Sequence, residues 1–377
     1  MEQVLTIGMA HHNDYSGVYF TIQDIRKELL FNRRYDLLKK IEFLVIENDP
    51  ESSHAKMVKQ LKNKIPISVV DFTDVSGTSA TRNKIIEEAR GNFVLVMDCH
   101  VMLCPVVDTL DRLFTFMESN KQTNDLFCGP LVHDDLNNMS THFNDRWAGQ
   151  MWGQWGSAWN CICEAARFSV QDVDGKAAFY NLNTQEKIDK CVYCSREFPK
   201  DLVFAGHERA LHSDGYTPAG RQSPEEPFEV FGQGLGCFFT RKNSWLKFNE
   251  HSRGFGGEEC YIHEKYRKAG NKTLCLPFLR WLHRFGRPDG VKYELTVDNK
   301  VRNYILEFME IGLDISPVKD HFVGQCGFSE ETFEAIKREC AQIYSIEVND
   351  TDDSVKEEIE ALKAKLKILV TKQKINA

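Results

Sequence analysis

What most limits the folding of this chain is an alternation in its first hundred residues. Apolar runs over 3–10, 41–46, 65–72 and 92–97 are each short enough for a strand, and helical patterns over 18–30, 52–62 and 80–89 separate them. That order predicts βαβ units, hence an α/β fold with a mostly parallel sheet and helices on its faces. The last run, Phe93-Val94-Leu95-Val96-Met97, has no polar interruption, as suits a central strand covered on both faces. It ends in Asp98-Cys99-His100. Ligands of open α/β sheets bind beyond the carboxyl ends of the strands, where residues i and i+2 point the same way. Asp98 and His100 are therefore placed to grip one cation.

Other strand ends carry polar groups too. Glu47 and Asp49 close the second run, and either form an acidic turn before Pro50 or bond a ribose or base edge. Arg82 and Asn83 fall in the first turn of a helix after Ser76-Gly77-Thr78-Ser79, a position for a phosphate or substrate hydroxyl, or simply a solvated face. A helix over 107–118 and a strand over 126–131 follow. Trp147, Trp152, Trp155 and Trp159 partly fit one helical face, either as core or as a stacking wall for a sugar ring or base.

Composition narrows the class. The 377 residues carry a net charge of −8, which argues against a broad electrostatic grip on nucleic acid. No apolar stretch approaches the roughly 20 residues that cross a bilayer, and the start lacks a basic segment before an apolar one. A cytoplasmic protein, in bacterial or phage-infected cytosol, is expected, with no membrane partner. Its 12 cysteines then read as reduced thiols or metal ligands.

Four of those thiol and imidazole positions have ligand spacing. Cys191, Cys194, His207 and His212 form C-x2-C-x12-H-x4-H, the pattern of a tetrahedral structural Zn²⁺ site. Phe198 and Phe204 stand where a small ββα module packs beneath its metal, so the segment resembles a C2H2 zinc finger. Of its base-reading positions, Lys200, Val203 and Gly206, only Lys200 can bond a base edge, and the surrounding 172–226 is no more basic than acidic. A phosphate clamp, a protein contact and a staple for a long insertion all stay open.

Downstream, Gly232, Gly234 and Gly236 allow close backbone approach to a ligand. Gly256-Gly257-Glu258-Glu259 opens a helix through Arg267; its carboxylates either cap that helix or serve as a sugar-binding acid and a base. Trp281-Leu282-His283-Arg284-Phe285-Gly286-Arg287 follows an apolar run over 274–279.

Together these elements resemble the GT-A glycosyltransferases of the family-2-like group, with echoes of the polypeptide N-acetylgalactosaminyltransferases. Asp98-Cys99-His100 resembles their DxD/DxH metal motif, Gly256–Glu259 their acceptor-side GGE motif, and His283 the distal metal histidine. Arg82-Asn83 is similar to the element that precedes the DxD strand. The resemblance covers about 4–290, interrupted by the finger-bearing insertion.

The resemblance implies a Rossmann-like GT-A domain in two parts. Residues 1–170 bind a nucleotide-sugar donor, a UDP-sugar first, through Glu47, Asp49, Arg82, Asn83, Asp98 and Gly234, and 227–290 face the acceptor. Between them, 171–226 hold the finger at about 189–213. Asp98, His100 and His283 hold a divalent cation, and one carboxylate with two imidazoles suits Mn²⁺ better than Mg²⁺. Glu259 matches the acceptor base and Glu258 the donor-sugar ligand. The acceptor expected first is a hydroxymethylated base in DNA; the alternative is a protein or glycan, with the finger structural. A scaffold without catalysis is the remaining reading. Residues 291–348 form a helical extension, and 349–354 a polar linker. Val355, Ile359, Leu362, Leu366 and Leu369 then make a two-heptad seam, which either pairs two copies in a coiled coil or packs on its own domain.

Overall fold

A computed structural model describes residues 4–73, 77–104, 108–134, 139–158, 168–174, 176–181, 186–190, 226–286, 290 and 295–350. The zinc-finger ligands, Trp159 and the heptad seam lie outside these residues. The chain divides into two compact units, 1–314 and 315–377.

The first unit begins β1 (Leu5–His11), α1 (Tyr15–Phe31), α2 (Tyr35–Leu38), β2 (Ile41–Glu47), α3 (Ser53–Leu61), β3 (Ile67–Asp71), α4 (Thr78–Glu88) and β4 (Phe93–Asp98). There follow β5 (Val101–Leu103), α5 (Thr109–Ser119), β6 (Leu126–Cys128), β7 (Leu131–Val132), β8 (Met139–Ser140), β9 (His142–Ala148) and β10 (Met151–Gly156). After β11 (Phe168–Val173) and β12 (Lys176–Asn181) come β13 (Phe228–Glu229), β14 (Cys237–Arg241), α6 (Glu258–Lys268), β15 (Thr273–Cys275), β16 (Trp281–His283) and α7 (Val297–Glu310). The second unit holds α8 (Ser316–Phe322) and α9 (Glu330–Asp350), the latter running into the expected linker.

The main sheet has the order β13-β15-β6-β14-β4-β1-β2-β3. It is mixed but mostly parallel, as expected: β3, β2, β1, β4, β6 and β15 run one way, and only β14 and β13 run the other. An antiparallel β14 starts where β4 ends, and the Asp98 N–H donates to Gly236 C=O at 2.8 Å.

Strand alternation sorts the core into two layers. Ile7, Met9, Phe43, Val45, Leu95 and Met97 meet Val18, Ile22 and Ile25 of α1 on one face. Leu44, Ile46, Val94, Val96 and Phe238 meet Ile85 of α4 and Tyr261, Ile262 and Tyr266 of α6 on the other. Each such side chain contributes about 1.5–3 kcal/mol on burial, which is why β4 reads as one unbroken apolar run.

A smaller sheet, β5-β16-β7-β8, carries the distal part of the site. Its antiparallel register sets His283 opposite Val101, one residue after His100. The described tryptophans, Trp147, Trp152 and Trp155, lie on strands and not on a helix. β9 and β10 make a hairpin in which Trp147 faces Trp152 across the strands, and a strand period, not 3.6, orders them.

Candidate active site

Four chain segments meet where β4 ends. Arg82, only 4% exposed, projects from α4 between two carboxylates. One guanidinium nitrogen donates to Asp98 Oδ1 at 3.2 Å and the other to Glu258 Oε1 at 3.0 Å. Thr78 Oγ1 donates to the same Glu258 oxygen at 2.8 Å. Burial alone would raise the Asp98 carboxyl, but Arg82, then His100 and His283, hold it below the ordinary carboxylate range.

His100 and His283 stand edge to face with their Nε2 atoms 3.1 Å apart, and Asp98 Oδ2 lies 3.9 Å from His100 Nε2. Ligands on adjacent corners of an octahedron with bonds of about 2.1 Å stand about 3 Å apart. The donor set of one carboxylate and two imidazoles therefore fits a divalent transition metal.

The GGEE turn is shaped by glycines. Gly256 and Gly257 have φ of 98° and 109°, conformations that L side chains rarely adopt. They deliver Glu258 and Glu259 to the first turn of α6, where the helix dipole favours negative charge. Glu258 is 1% exposed. Glu259 is partly open to solvent; burial and then the Glu258 charge raise its carboxyl to about 7, against the pull of Arg82 and Lys300. That value matches a general base working near neutral pH.

Other expected donor residues have different work. Glu47 is fully buried, with one oxygen 2.5 Å from His11 Nδ1 and the other accepting the Asp49 N–H at 2.9 Å. It braces the turn, while Asp49 accepts from Asn13 at 2.9 Å. Asn83 is bonded through both amide atoms to Trp245 and Phe248, so its amide anchors 245–248 instead of a donor. Gly234 lies beneath the Trp155 ring, where an added Cβ would approach to 2.8 Å. Gly236 is the glycine that borders the histidines: a Cβ there would meet Trp281 at 2.7 Å and the His283 ring at 3.4 Å.

The tryptophan pair Trp147 and Trp152 packs on Phe308 at 6.2 and 5.0 Å, a core role. Trp155 instead reaches His133 (6.2 Å), which stacks on half-exposed Phe285 (5.6 Å), itself 4.0 Å from the His283 ring. Nothing in local spacing singles out His133, and only its distant partner Phe285 in the WLHRFGR stretch hinted at the contact. Arg284 pairs with Asp14, the residue that caps α1.

The first unit is thus a layered α/β domain with a metal-capable triad, Asp98, His100 and His283, beside the end of β4. The sequence model for glycosyl transferase family 2 matches residues 6–167. No curated protein matches the chain. Among solved structures, GalNAc-T7 with UDP, GalNAc and Mn²⁺ is similar at 13% identity and TM-score 0.48, over 88% of this chain and 56% of that one. A Pyrobaculum calidifontis mannosyltransferase with GDP-Man and Mn²⁺ shows 10% identity and TM-score 0.42, over 97% and 80% of the two chains. S. aureus TarS 1-349 with UDP-GlcNAc shows 12% and 0.41, over 84% and 70%. The chain thus spans just over half the length of the GalNAc-T7 chain. Among the described residues, no helix is long and apolar enough to cross a membrane.

Proposed function

We propose that the chain is a metal-dependent glycosyltransferase that moves a sugar from a nucleotide-sugar donor, a UDP-sugar first, to a hydroxyl acceptor. The observation that carries this reading is the convergence of Asp98, His100 and His283 beside Arg82, Glu258 and a base-like Glu259. Asp98, His100 and His283 would hold Mn²⁺ or Mg²⁺, which would supply positive charge to a leaving diphosphate. Arg82 fixes Glu258 at the donor sugar. Glu259 accepts the acceptor's hydroxyl proton as that oxygen bonds to the sugar C1. The bond from C1 to the diphosphate oxygen breaks, and the nucleoside diphosphate leaves with the electron pair.

A screen of sugar nucleotides with Mn²⁺ tests the reading. The wild-type protein should hydrolyse at least one donor slowly without acceptor, and Asp98→Ala with His283→Ala should reduce that rate at least roughly 10²-fold. An unchanged rate on every donor removes the metal assignment.

The acceptor favoured is a hydroxymethylated base in duplex DNA, because Cys191, Cys194, His207 and His212 set a finger inside the catalytic chain. Running the screen with such DNA beside protein and glycan acceptors separates the alternatives. Transfer to protein or glycan alone makes the finger a structural or protein-contact module, as the acidic balance of 172–226 favours. The finger predicts one tightly held zinc per chain, lost in Cys191→Ser, and elemental analysis of both proteins decides it.

A further inference from the structure

Helix α7 places a carboxyl group directly beneath the GGEE turn, in a role outside the chemistry above. Glu307 is fully buried. Its Oε1 accepts a bond from Ser252 Oγ at 3.1 Å, and its Oε2 has no hydrogen-bond partner. That orphaned atom lies against Gly257: a Cβ on the glycine would stand 2.8 Å from it. One turn earlier, Asn303 donates to Gly256 C=O at 2.8 Å and to Arg253 C=O at 2.9 Å, so α7 grips the turn from beneath. A second buried carboxylate oxygen is orphaned in the adjoining residue, Glu258 Oε2.

Two buried carboxylate oxygens without hydrogen-bond partners, one against Gly257 and the other on the adjoining Glu258, make a charge on both groups unfavourable, since buried charge without a partner is costly. Arg82 is bonded to Asp98 and Glu258, and Lys265 to Glu310. From the elements packed around it, Glu307 is faced by Glu258 and Glu259 of α6 and by Glu310 of its own helix. Burial first, then Glu258, holds its carboxyl well above the usual range.

We propose that Glu307 is a positioning residue kept as a neutral carboxylic acid beneath the GGEE turn. The acid lets Glu258 remain a single, fixed carboxylate on Arg82 and Thr78, and removes one negative charge from the surroundings of Glu259. The role in turnover rests on the donor-binding reading of Glu258, but the proton does not.

Carbon-13 NMR of glutamate-labelled protein at pH 8 tests the proton without any substrate. One glutamate carboxyl should keep the shift of a protonated acid, and that signal should vanish in Glu307→Gln. A spectrum showing only ionised glutamate carboxyls overturns the proposal. Hydrolysis of the best UDP-sugar with Mn²⁺ then tests the role. Glu307→Ala should lower kcat roughly tenfold or more, and Glu307→Gln, neutral and able to donate, should restore most of that loss with the acidic limb of the pH profile near 7. A Gln variant whose limb drops by a full pH unit means that the native side chain was charged. If no donor is hydrolysed at all, the glycosyltransferase reading fails while the NMR result still stands.

Discussion

Replacing Glu259 by glutamine is expected to lower turnover by roughly 10²–10⁴-fold, the usual contribution of a positioned general base. The donor should still bind with Mn²⁺, because Glu258, Arg82 and the histidine pair are untouched. Native activity should rise as pH passes upward through about 7, where Glu259 loses its proton, and that limb should be absent from the variant's residual rate. Stability should move the other way. A carboxyl raised from 4.5 to about 7 on folding favours the folded state while protonated, and that advantage is lost as pH rises through this range. The glutamine variant has no such loss, so it should melt above the native protein at pH 8 and alongside it below pH 4.5. Equal turnover in the two proteins would remove Glu259 from the chemistry.

Arg82→Leu is expected to carry the largest cost in stability, roughly 3–5 kcal/mol, because it strands Glu258 in the interior and releases Asp98 from its partner. Arg82→Lys should recover little, since one ammonium cannot serve two carboxylates in the fork that a guanidinium makes. The pH dependence distinguishes this loss from one of packing. Asp98 has a folded pKa below its free value of 3.8, so its contribution is present above that value and disappears as pH falls through the folded one. The gap in melting temperature between native and variant should accordingly be wide at pH 7 and narrow towards pH 3. A gap independent of pH would assign the loss to cavity formation alone.

Much of this site was readable from the chain itself. The apolar run before Asp98 announced a strand end, and paired glycines before Glu258 announced a helix start, because both signals are local. His283 was reached by resemblance, not spacing, for its position depends on a strand pairing with β5. Glu307 escaped notice for the same reason, and Gly236 stood only as one of three glycines open to a ligand. A glutamate in an amphipathic helix looks solvated until tertiary packing turns it inward, and the importance of Gly236 lies in the distant His283 ring. The tryptophans misled because their intervals of three to five residues suit a helix nearly as well as a bulged hairpin, and the pairing of Trp147 with Trp152 is a cross-strand fact. Asn83 on α4 and Glu47 at the end of β2 stand near where ligand-binding groups gather, yet their bonds go inward.

The separation of the two histidines also orders events in the life of the chain. His100 is fixed at the end of the central strand, whereas its partner comes 183 residues later, on a strand of the smaller sheet. A cation bound by the proposed triad would close a long loop, and would bind well only once both sheets exist. A chain still emerging from synthesis, complete through Asp98 and His100 but short of residue 283, has at most a weak foothold for it. On the proposed reading, metal capture would belong to the finished fold, and each bound ion would draw the population towards chains whose two sheets have already met.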